Sequence, residues 1–507
     1  MSRASDNIHP MPAFPMPPSS TERSSGFTTR NPIAWTTGVK FRAGRITIGG
    51  SPWQLTVLPQ WVRPFAIRLH EAGRAGLTAS TPDEQSAALY LLDRGVADPL
   101  PGPIDGSDEA AVEKAADAEI VIPVHGGPDE FERCLASVAP EGMPITVVDD
   151  ATPEPDASRI KKIATDYGAR LIVHEQNGGP GAARNTGFAA TGSPFVAFID
   201  SDAVAAPNWV SRLRRVFDDP AVGAAGPRVC PDIQGTTPLE LYEETRSELD
   251  MGPDPSQVVY GVPVGWLPSA SVMVRRSAVT DPPFEPGLRV GEDVDLFWRM
   301  DEAGWSVRYV TDVVNRHRVR TSLADFTGRR AMYGSSAAVL EARHPNRLIP
   351  AQPSASGLAI IAALSNKRSS VRWSALGVAG YELARQRKLL DPEVPFPVVA
   401  EMTALTLWTD AFWVGHLLRR DWWPIGWSVL AAAPFSRLAR GVGIVMMAQP
   451  VREHIFSPTR LGPIASLALR MLDDASYGTG VIRNAVRQGV PNVVAPRVRI
   501  PVWPSRR

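Results

Sequence analysis

The sequence predicts an α/β fold with a mostly parallel, Rossmann-like sheet, preceded by a small α+β domain and followed by a helical region. Three observations lead to this prediction. Apolar, β-branched runs alternate with helix-length segments within residues 118–346, which is typical of a parallel sheet covered on both faces. Residues 35–104 combine short strand-like runs with two helix patterns. Residues 347–507 are rich in Ala, Leu, Trp and Arg, and their pattern is helical.

Length and composition narrow the protein class. A chain of 507 residues is too long for one ordinary core, so two or three domains are expected. The formal net charge is zero, which argues against nucleic acid as the main partner. The charge is uneven, however. The last 97 residues hold 13 Arg and 4 acidic residues, a net charge of +9, and the remainder carries −9.

The cysteines and the N-terminal segment indicate where in the cell the protein is expected. Two cysteines, Cys134 and Cys230, do not make a disulfide framework, and we interpret them as reduced thiols of a cytoplasmic protein. Residues 1–34 are rich in Pro and Ser, lack the apolar core of a signal peptide, and are predicted to be a disordered tail. Within the small α+β domain, Thr81 is expected to cap the second helix.

Two carboxylates follow the apolar run "FVAFI", in the sequence "DSD". Residues i and i+2 of a strand point the same way, so Asp200 and Asp202 can face one small volume at the strand's end. Oxygen ligands suit a hard divalent cation, and Mg²⁺ typically uses one or two carboxylates plus substrate phosphates. The alternative is that an Asp caps the next helix.

Polar residues at the ends of the other apolar runs favour the ligand site. The carboxyl ends of parallel strands meet at one edge of the sheet, where ligands bind in such folds. Six polar residues are expected there, which makes helix capping the weaker explanation. They are His125, Asp149, Asp150, Asn177, Asp200 and Asp202.

Two further motifs suggest chemistry. "NGGPGAARNTG" follows one strand and begins a helix, and it departs from both common nucleotide-binding fingerprints. Its Gly178 and Arg184 could still approach a phosphate through free N–H groups and a guanidinium. "GEDVDLFWRM" places Glu292 and Asp293 after a glycine-containing turn, where an acid could remove a proton from a hydroxyl or could simply stabilise a helix start. His317 is either structural or a ligand.

The C-terminal region has two interpretations. Its apolar segments are interrupted by Glu401, Asp410, Arg437 and Arg440, so none is a clean bilayer span. Buried amphipathic helices are the first interpretation. Interfacial membrane binding is the second, because arginines next to tryptophans suit the level of the lipid headgroups.

Five motifs, read in order over residues 121–300, resemble the GT-A glycosyltransferases of family 2. They are "VIPVHGG", "VVDDAT", "NGGPGAARNTGF", "FIDSDAVAAPNWV" and "GEDVDLFWRM". The resemblance implies a GT-A catalytic domain over residues 118–346, with a divalent metal, Mg²⁺ or Mn²⁺, as cofactor.

The resemblance also implies roles for individual residues. Asp293, with Glu292 beside it, would be the catalytic base. The metal would be held by Asp202, Asp200 and, as a further candidate, His317. Nucleotide contacts would come from Pro123, Asp149, Asp150, Asn177, Gly178, Arg184 and Asp200. Acceptor contacts are expected from Trp266, Ser269 and Trp298, and the two aromatic rings offer rigid contact area to sugar faces. For Trp298, packing in the core is the alternative.

A further motif, "RRAMYGSSAAVLEARHP", follows His317. Together with residues 35–104, the five motifs and the hydrophobic C-terminal half, it gives a closer resemblance, over most of the chain, to the mycofactocin-system glycosyltransferases. It implies an inverting transfer of glucose from UDP-glucose to a peptide-derived redox cofactor precursor, building a β-1,4-linked oligoglucoside. Peptide binding is one interpretation of residues 35–104, and an accessory cap is the other. The competing functions are a family 2 transferase acting on a cell-envelope glycolipid or polysaccharide, and a non-catalytic scaffold for a peptide or membrane. The expected location is the cytoplasm, with the inner face of the cell membrane as an alternative.

Replacing Asp202 by Asn tests the metal assignment. We expect turnover to fall sharply while the fold is retained, because the change removes a charge that the metal needs and keeps the side chain's shape. Steady-state transfer assays and circular dichroism measure the two effects. Normal turnover in this variant would contradict the assignment.

Overall fold

The computed structural model describes residues 15–17, 32–100, 116–319, 321–457 and 459–500. Most of the predicted disordered tail, residues 1–34, and most of residues 105–117, between the expected α+β and catalytic domains, lie outside these ranges. Ile33 and Ala34 of the predicted tail instead belong to a strand, where they pair with Pro99 and Asp98. The chain forms two compact units. The first contains the described residues within Ile8–Ile233 and Arg246–Val319, and the second contains those within Gln234–Thr245 and Arg320–Arg507. The bounds of the four regions expected from the sequence stay predictions.

The first unit begins with a small α+β substructure. Its two helices pack with the strands around a core that includes Trp35, Phe65 and Leu91. β1 pairs antiparallel with β5, and β2, β3 and β4 form an antiparallel sheet. Thr81 caps α2, as predicted, because its side chain accepts the Glu84 N–H. The elements are β1 (Ile33–Trp35), β2 (Lys40–Arg42), β3 (Ile46–Gly49), β4 (Gln54–Val57), α1 (Arg63–Ala72), α2 (Pro82–Asp93) and β5 (Ala97–Pro99).

The described residues that follow form a nine-stranded mixed sheet in the order β10-β14-β11-β13-β9-β6-β7-β8, with β12 paired to β14. β6, β7, β8 and β9 are parallel, as the alternating pattern predicts, and β11 is parallel to β14. β13 is antiparallel to both β9 and β11, and β10 is antiparallel to β14. The strands are β6 (Ala118–Val124), β7 (Ile145–Asp149), β8 (Arg170–Val173), β9 (Phe195–Ile199), β10 (Ala203–Val204), β11 (Val222–Asp232), β12 (Ser256–Gln257), β13 (Ser271–Arg275) and β14 (Ser306–Arg318).

Both faces of this sheet are buried, which explains why its strands are continuously apolar. Ile120 and Ile122 belong to the core on one face, and Val121 between them belongs to the core on the other. Cys134 lies in the first of these cores, and neither it nor Cys230 forms a disulfide. The covering helices are α3 (Pro128–Val138), α4 (Asp156–Asp166), α5 (Pro180–Ala190), α6 (Trp209–Val216) and α8 (Glu292–Glu302).

The second unit is helical, as predicted. Small residues let its helices approach closely: a Cβ on Gly480 would lie 1.9 Å from the Ala331 carbonyl oxygen. None of the helices in the described part of the chain combines the length and apolarity that crossing a bilayer requires. The helices are α7 (Pro238–Arg246), α9 (Leu323–Arg343), α10 (Ala355–Leu364), α11 (Ser369–Leu389), α12 (Phe396–Arg419), α13 (Trp423–Ala432), α14 (Arg437–Phe456) and α15 (Pro463–Gln488).

Replacing Gly187 by Ala tests how closely α5 packs against the sheet. A Cβ there would lie 2.2 Å from Val121 Cγ1 in the buried centre of β6. We expect a loss of about 1–3 kcal/mol in the free energy of unfolding, because the core is overpacked. Urea unfolding followed by tryptophan fluorescence measures this loss. Gly192→Ala is the matched control, since no atom lies within 4 Å of its Cβ position. Equal stability of the two variants would contradict this account.

Candidate active site

Two strand pairings assemble a cluster of potential metal ligands at the sheet edge. The Asp200 N–H, directly after β9, donates to the Ala270 carbonyl at 2.9 Å. Ala203 of β10 is paired with His317 of β14, which brings His317 to Asp202. The His317 Nε2 to Asp202 Oδ1 distance is 3.0 Å. One ligand atom each from Asp200, Asp202 and His317 lies within 4.8 Å of the other two.

Neither carboxylate of this pair caps the next helix. The N-cap residue of α6 is Asn208. Burial alone would lower the pKa of His317, but Asp202 and then Asp200 outweigh it and hold this pKa above its ordinary value. The cluster is therefore an electronegative, partly exposed site made of two carboxylates and one imidazole.

Arg184 joins this cluster to the acidic start of α8. Its side chain is 2% exposed. Nη2 donates to Asp200 Oδ1 at 2.6 Å, and Nη1 donates to Glu292 Oε1 at 3.0 Å. Its buried Nε has no hydrogen-bond partner among the described residues. The guanidinium thus bridges two carboxylates, and its expected contact with a nucleotide stays a prediction.

The two acids at the start of α8 have different surroundings. Glu292 is buried; burial raises its pKa to about 7, the neighbouring Asp293 charge adds to this, and Arg184 opposes it. Asp293 is half-buried, and burial also raises its pKa. Its Oδ1 accepts the Val294 N–H at 2.8 Å, and its Oδ2 accepts the Ser269 N–H at 3.4 Å. The Asp293 carboxylate is therefore held by two backbone donors.

The expected nucleotide-binding acids hold loops together. Asp150 accepts the Gly178 N–H at 2.9 Å, the Gly179 N–H at 2.7 Å and a hydrogen bond from His174 Nδ1 at 2.8 Å. Asp149 Oδ1 accepts the Thr152 N–H at 2.9 Å. The glycine N–H groups that the sequence offers to a phosphate are thus already donated to Asp150.

The remaining residues of this side lie close to Asp150. Asn177 Nδ2 donates to the Asp150 carbonyl at 3.2 Å, and His125 Nδ1 is 2.9 Å from the same oxygen. Pro123 is buried within β6 and paired with Val148. Nucleotide contacts by Pro123, Asp149, Asp150, Asn177 and Gly178 stay predictions.

The residues expected to contact the acceptor lie near the turn at Gly265. Trp298 is only 5% exposed, its Nε1 donates to the Gly265 carbonyl at 3.0 Å, and it packs edge-to-face on Tyr260. Trp266, next to Gly265, is partly exposed and packs against the core. Ser269 is buried and reaches Asp293 through its backbone N–H. Trp298 thus supports the turn that carries Trp266.

Sequence reasoning missed two residues that shape the site. Asn315 is fully buried; its Oδ1 accepts the Ala206 N–H at 2.8 Å and its Nδ2 donates to Ser271 Oγ at 2.7 Å. Arg289 Nη2 donates to Asn177 Oδ1 at 2.9 Å. Asn315 lies two residues before His317 on the same strand, so the alternation of strand side chains could have found it. Nothing local to Arg289 distinguishes it from an ordinary surface arginine.

The sequence is similar to known glycosyltransferases. Residues 119–271 match Glycosyl transferase family 2. The Pre-mycofactocin glycosyltransferase of Mycobacterium tuberculosis is 33% identical over 471 residues, which cover 90% of this chain and 95% of that protein. Glycosyltransferase AglE of Haloferax volcanii is 26% identical and covers 40% of this chain and 66% of its own length.

Two solved structures are similar at low sequence identity. The mannosyltransferase PcManGT from Pyrobaculum calidifontis, in complex with GDP-Man and Mn²⁺, has a TM-score of 0.39 and 13% identity, over 73% of this chain and 88% of that one. Glucosyl-3-phosphoglycerate synthase from Mycobacterium tuberculosis has a TM-score of 0.34 and 22% identity, over 48% of this chain and 86% of that one. Because the identity to the mycobacterial relative extends over 90% of this chain and the family 2 domain is matched, the chain belongs to glycosyl transferase family 2 and, within it, to the pre-mycofactocin glycosyltransferase family.

Proposed function

We propose that the chain transfers glucose from UDP-glucose to pre-mycofactocin with inversion, building a β-1,4-linked oligoglucoside. Membership of the family makes the chain a glycosyltransferase, and similarity to the Pre-mycofactocin glycosyltransferase supports the acceptor. The donor and the linkage rest on the resemblance of most of the chain to the mycofactocin-system glycosyltransferases. The observation that carries the proposal is the Arg184 bridge, which joins the Asp200–Asp202–His317 cluster to the Glu292–Asp293 pair.

The donor set of the cluster fits a divalent metal. The two carboxylates suit Mg²⁺ or Mn²⁺, which prefer oxygen ligands and leave positions for substrate oxygens, and the His317 imidazole would add one nitrogen ligand. The three residues are partly exposed and their ligand atoms converge, so Asp200, Asp202 and His317 would hold the ion. A bound divalent cation supplies positive charge that offsets the charge developing on the nucleoside diphosphate leaving group.

Asp293 is the proposed general base. Its carboxylate removes the proton from the acceptor hydroxyl as that oxygen attacks the anomeric carbon, on the face opposite the leaving group. A single displacement of this kind inverts the configuration, so an α-linked donor yields a β-glycoside. The Ser269 and Val294 N–H groups hold the carboxylate in place. Arg184 and Glu292 are positioning residues that connect the base to the Asp200 end of the site.

Binding of the two substrates divides between the two sides of the sheet edge. We place the nucleotide beside Asp149, Asp150, Asn177 and Gly178, and the acceptor beside Trp266. Trp298 then acts through the turn at Gly265, because its indole N–H is already donated there. Peptide recognition by residues 35–104 remains part of the proposal. For the location of the protein, we propose peripheral contact with the inner face of the cell membrane.

Product analysis distinguishes the candidate functions. The purified chain is incubated with Mg²⁺ or Mn²⁺, pre-mycofactocin and one of several sugar nucleotides, and the products are identified by mass spectrometry. We expect a hexose series on pre-mycofactocin with UDP-glucose. Transfer only to glycolipid or polysaccharide acceptors would favour a cell-envelope role. Absence of transfer to any acceptor would favour the non-catalytic scaffold.

Replacing Asp293 by Asn tests the base. We expect the transfer rate to fall about a hundredfold or more, because no group then accepts the hydroxyl proton. Affinity for UDP-glucose, measured by calorimetry, should stay close to that of the unaltered protein, since the base acts on the acceptor. A loss of donor affinity as large as the loss of rate would assign Asp293 another role.

The raised carboxyl pKa values predict a pH dependence. Asp293 must be ionised to act, so kcat/KM should fall as the pH drops through its raised pKa, at a higher pH than an ordinary carboxyl group would give. The rate of transfer measured over a pH series locates this acid limb. An acid limb at the pH expected of an ordinary aspartate would contradict the effect of burial on Asp293.

A further inference from the structure

A helical hairpin in the second unit presents large apolar side chains to solvent. α13 and α14 are joined by the short turn 433–436, and Phe435 within this turn is 91% exposed. Leu438, in the first turn of α14, is 59% exposed. Exposed apolar side chains that are grouped in this way, unlike ones scattered singly, mark a surface that can meet another apolar phase.

Basic side chains surround this turn. Arg437 and Arg440 are exposed on the first turn of α14, and Arg440 Nε donates to the Ala433 carbonyl at 3.3 Å, which holds its guanidinium beside the turn. The α10–α11 loop approaches the same place, because a Cβ on Gly441 would lie 2.3 Å from Ser365 Oγ. That loop continues into Lys367 and Arg368, both exposed.

Acidic residues are absent from both contributing stretches of sequence. The chain has none between Asp421 and Glu453, and none between Glu341 and Glu382. The positive charge beside the exposed apolar groups is therefore not offset from within these stretches. We call this surface the basic apolar tip. Its residues are Lys367, Arg368, Phe435, Arg437, Leu438 and Arg440.

We propose that the basic apolar tip binds the surface of an anionic phospholipid bilayer. Phe435 and Leu438 would enter the headgroup region, and the cationic groups would pair with lipid phosphates around them. This combination is the one that peripheral proteins use, since apolar burial and attraction to anionic lipid add together. The inference deepens the proposed membrane contact by naming the surface and the lipid class, and it is independent of the transfer chemistry.

The geometry fits insertion at the interface. The tip is a turn between two helices, and α13 spans only 10 residues. A helix of that length rises about 15 Å, half the thickness of the hydrocarbon core. Long basic side chains around an apolar centre can also reach outward to phosphates while their stems cover apolar surface.

Vesicle flotation with the full chain tests the tip. We expect the protein to float with vesicles of phosphatidylcholine mixed with phosphatidylglycerol, and much less with phosphatidylcholine alone. Phe435→Ser combined with Leu438→Ser should weaken binding about tenfold or more, because the apolar contribution is lost. Arg437→Gln combined with Arg440→Gln should weaken binding roughly tenfold at low salt, and the difference should shrink at high salt because salt screens the attraction.

Matched changes in the first unit are the controls. Val173→Ser removes another exposed apolar side chain, 60% exposed on β8, and Arg74→Gln removes an exposed guanidinium. Neither should alter flotation. Wild-type protein that never floats, or tip variants that float as well as the wild type, would overturn the assignment. Transfer to a soluble acceptor, measured without vesicles, should be unchanged in the tip variants. Flotation without transfer would leave the lipid surface standing and count against the proposed function alone.

Discussion

The buried Arg184 guanidinium is the interaction on which the geometry of the site depends. A cation that is 2% exposed has lost most of its hydration, and only nearby negative charge can offset that cost. Asp200 and Glu292 supply the charge from two distant segments, the end of β9 and the start of α8. Losing either carboxylate would leave a buried charge poorly compensated, at a cost of about 3–5 kcal/mol. The Asp200–Asp202–His317 cluster and the acid pair are therefore held in register by one side chain.

A second set of polar contacts fixes the loops around this centre. The Asp150 carboxylate accepts two glycine N–H groups, so the loop before α5 is shaped by the protein itself. Arg289 then reaches across to Asn177 in the same loop. Such prior organisation is what electrostatic catalysis requires, because groups that are already oriented need not reorganise when charge develops.

The helical unit buries some charged side chains and exposes some large apolar ones. Arg419 is fully buried and donates to Asp474 at 2.9 Å, while Phe435 is almost fully exposed. Burial and the neighbouring Arg420 lower the pKa of His416 to about 3, so its imidazole is neutral inside this network. Buried charges are thus paired inside the unit, while some of its large apolar side chains are exposed. The proposed lipid surface would give these exposed groups a partner.

Much of the site could be read from the sequence, because its signals are local. Continuous apolar runs predicted strands buried on both faces, and polar residues at their ends predicted the edge where a site would form. The spacing of Asp200 and Asp202 predicted two carboxylates in one place, and Thr81 was recognisable as a helix cap. Only the tertiary structure brought His317 to Asp202 and Arg184 between Asp200 and Glu292, because these partners are 115, 16 and 108 residues apart and meet through strand pairing and helix packing. Likewise, the sequence determined that the C-terminal region is basic and apolar, but exposure depends on which helix faces pack together. Whether Phe435 was core or surface was therefore decided by the fold alone.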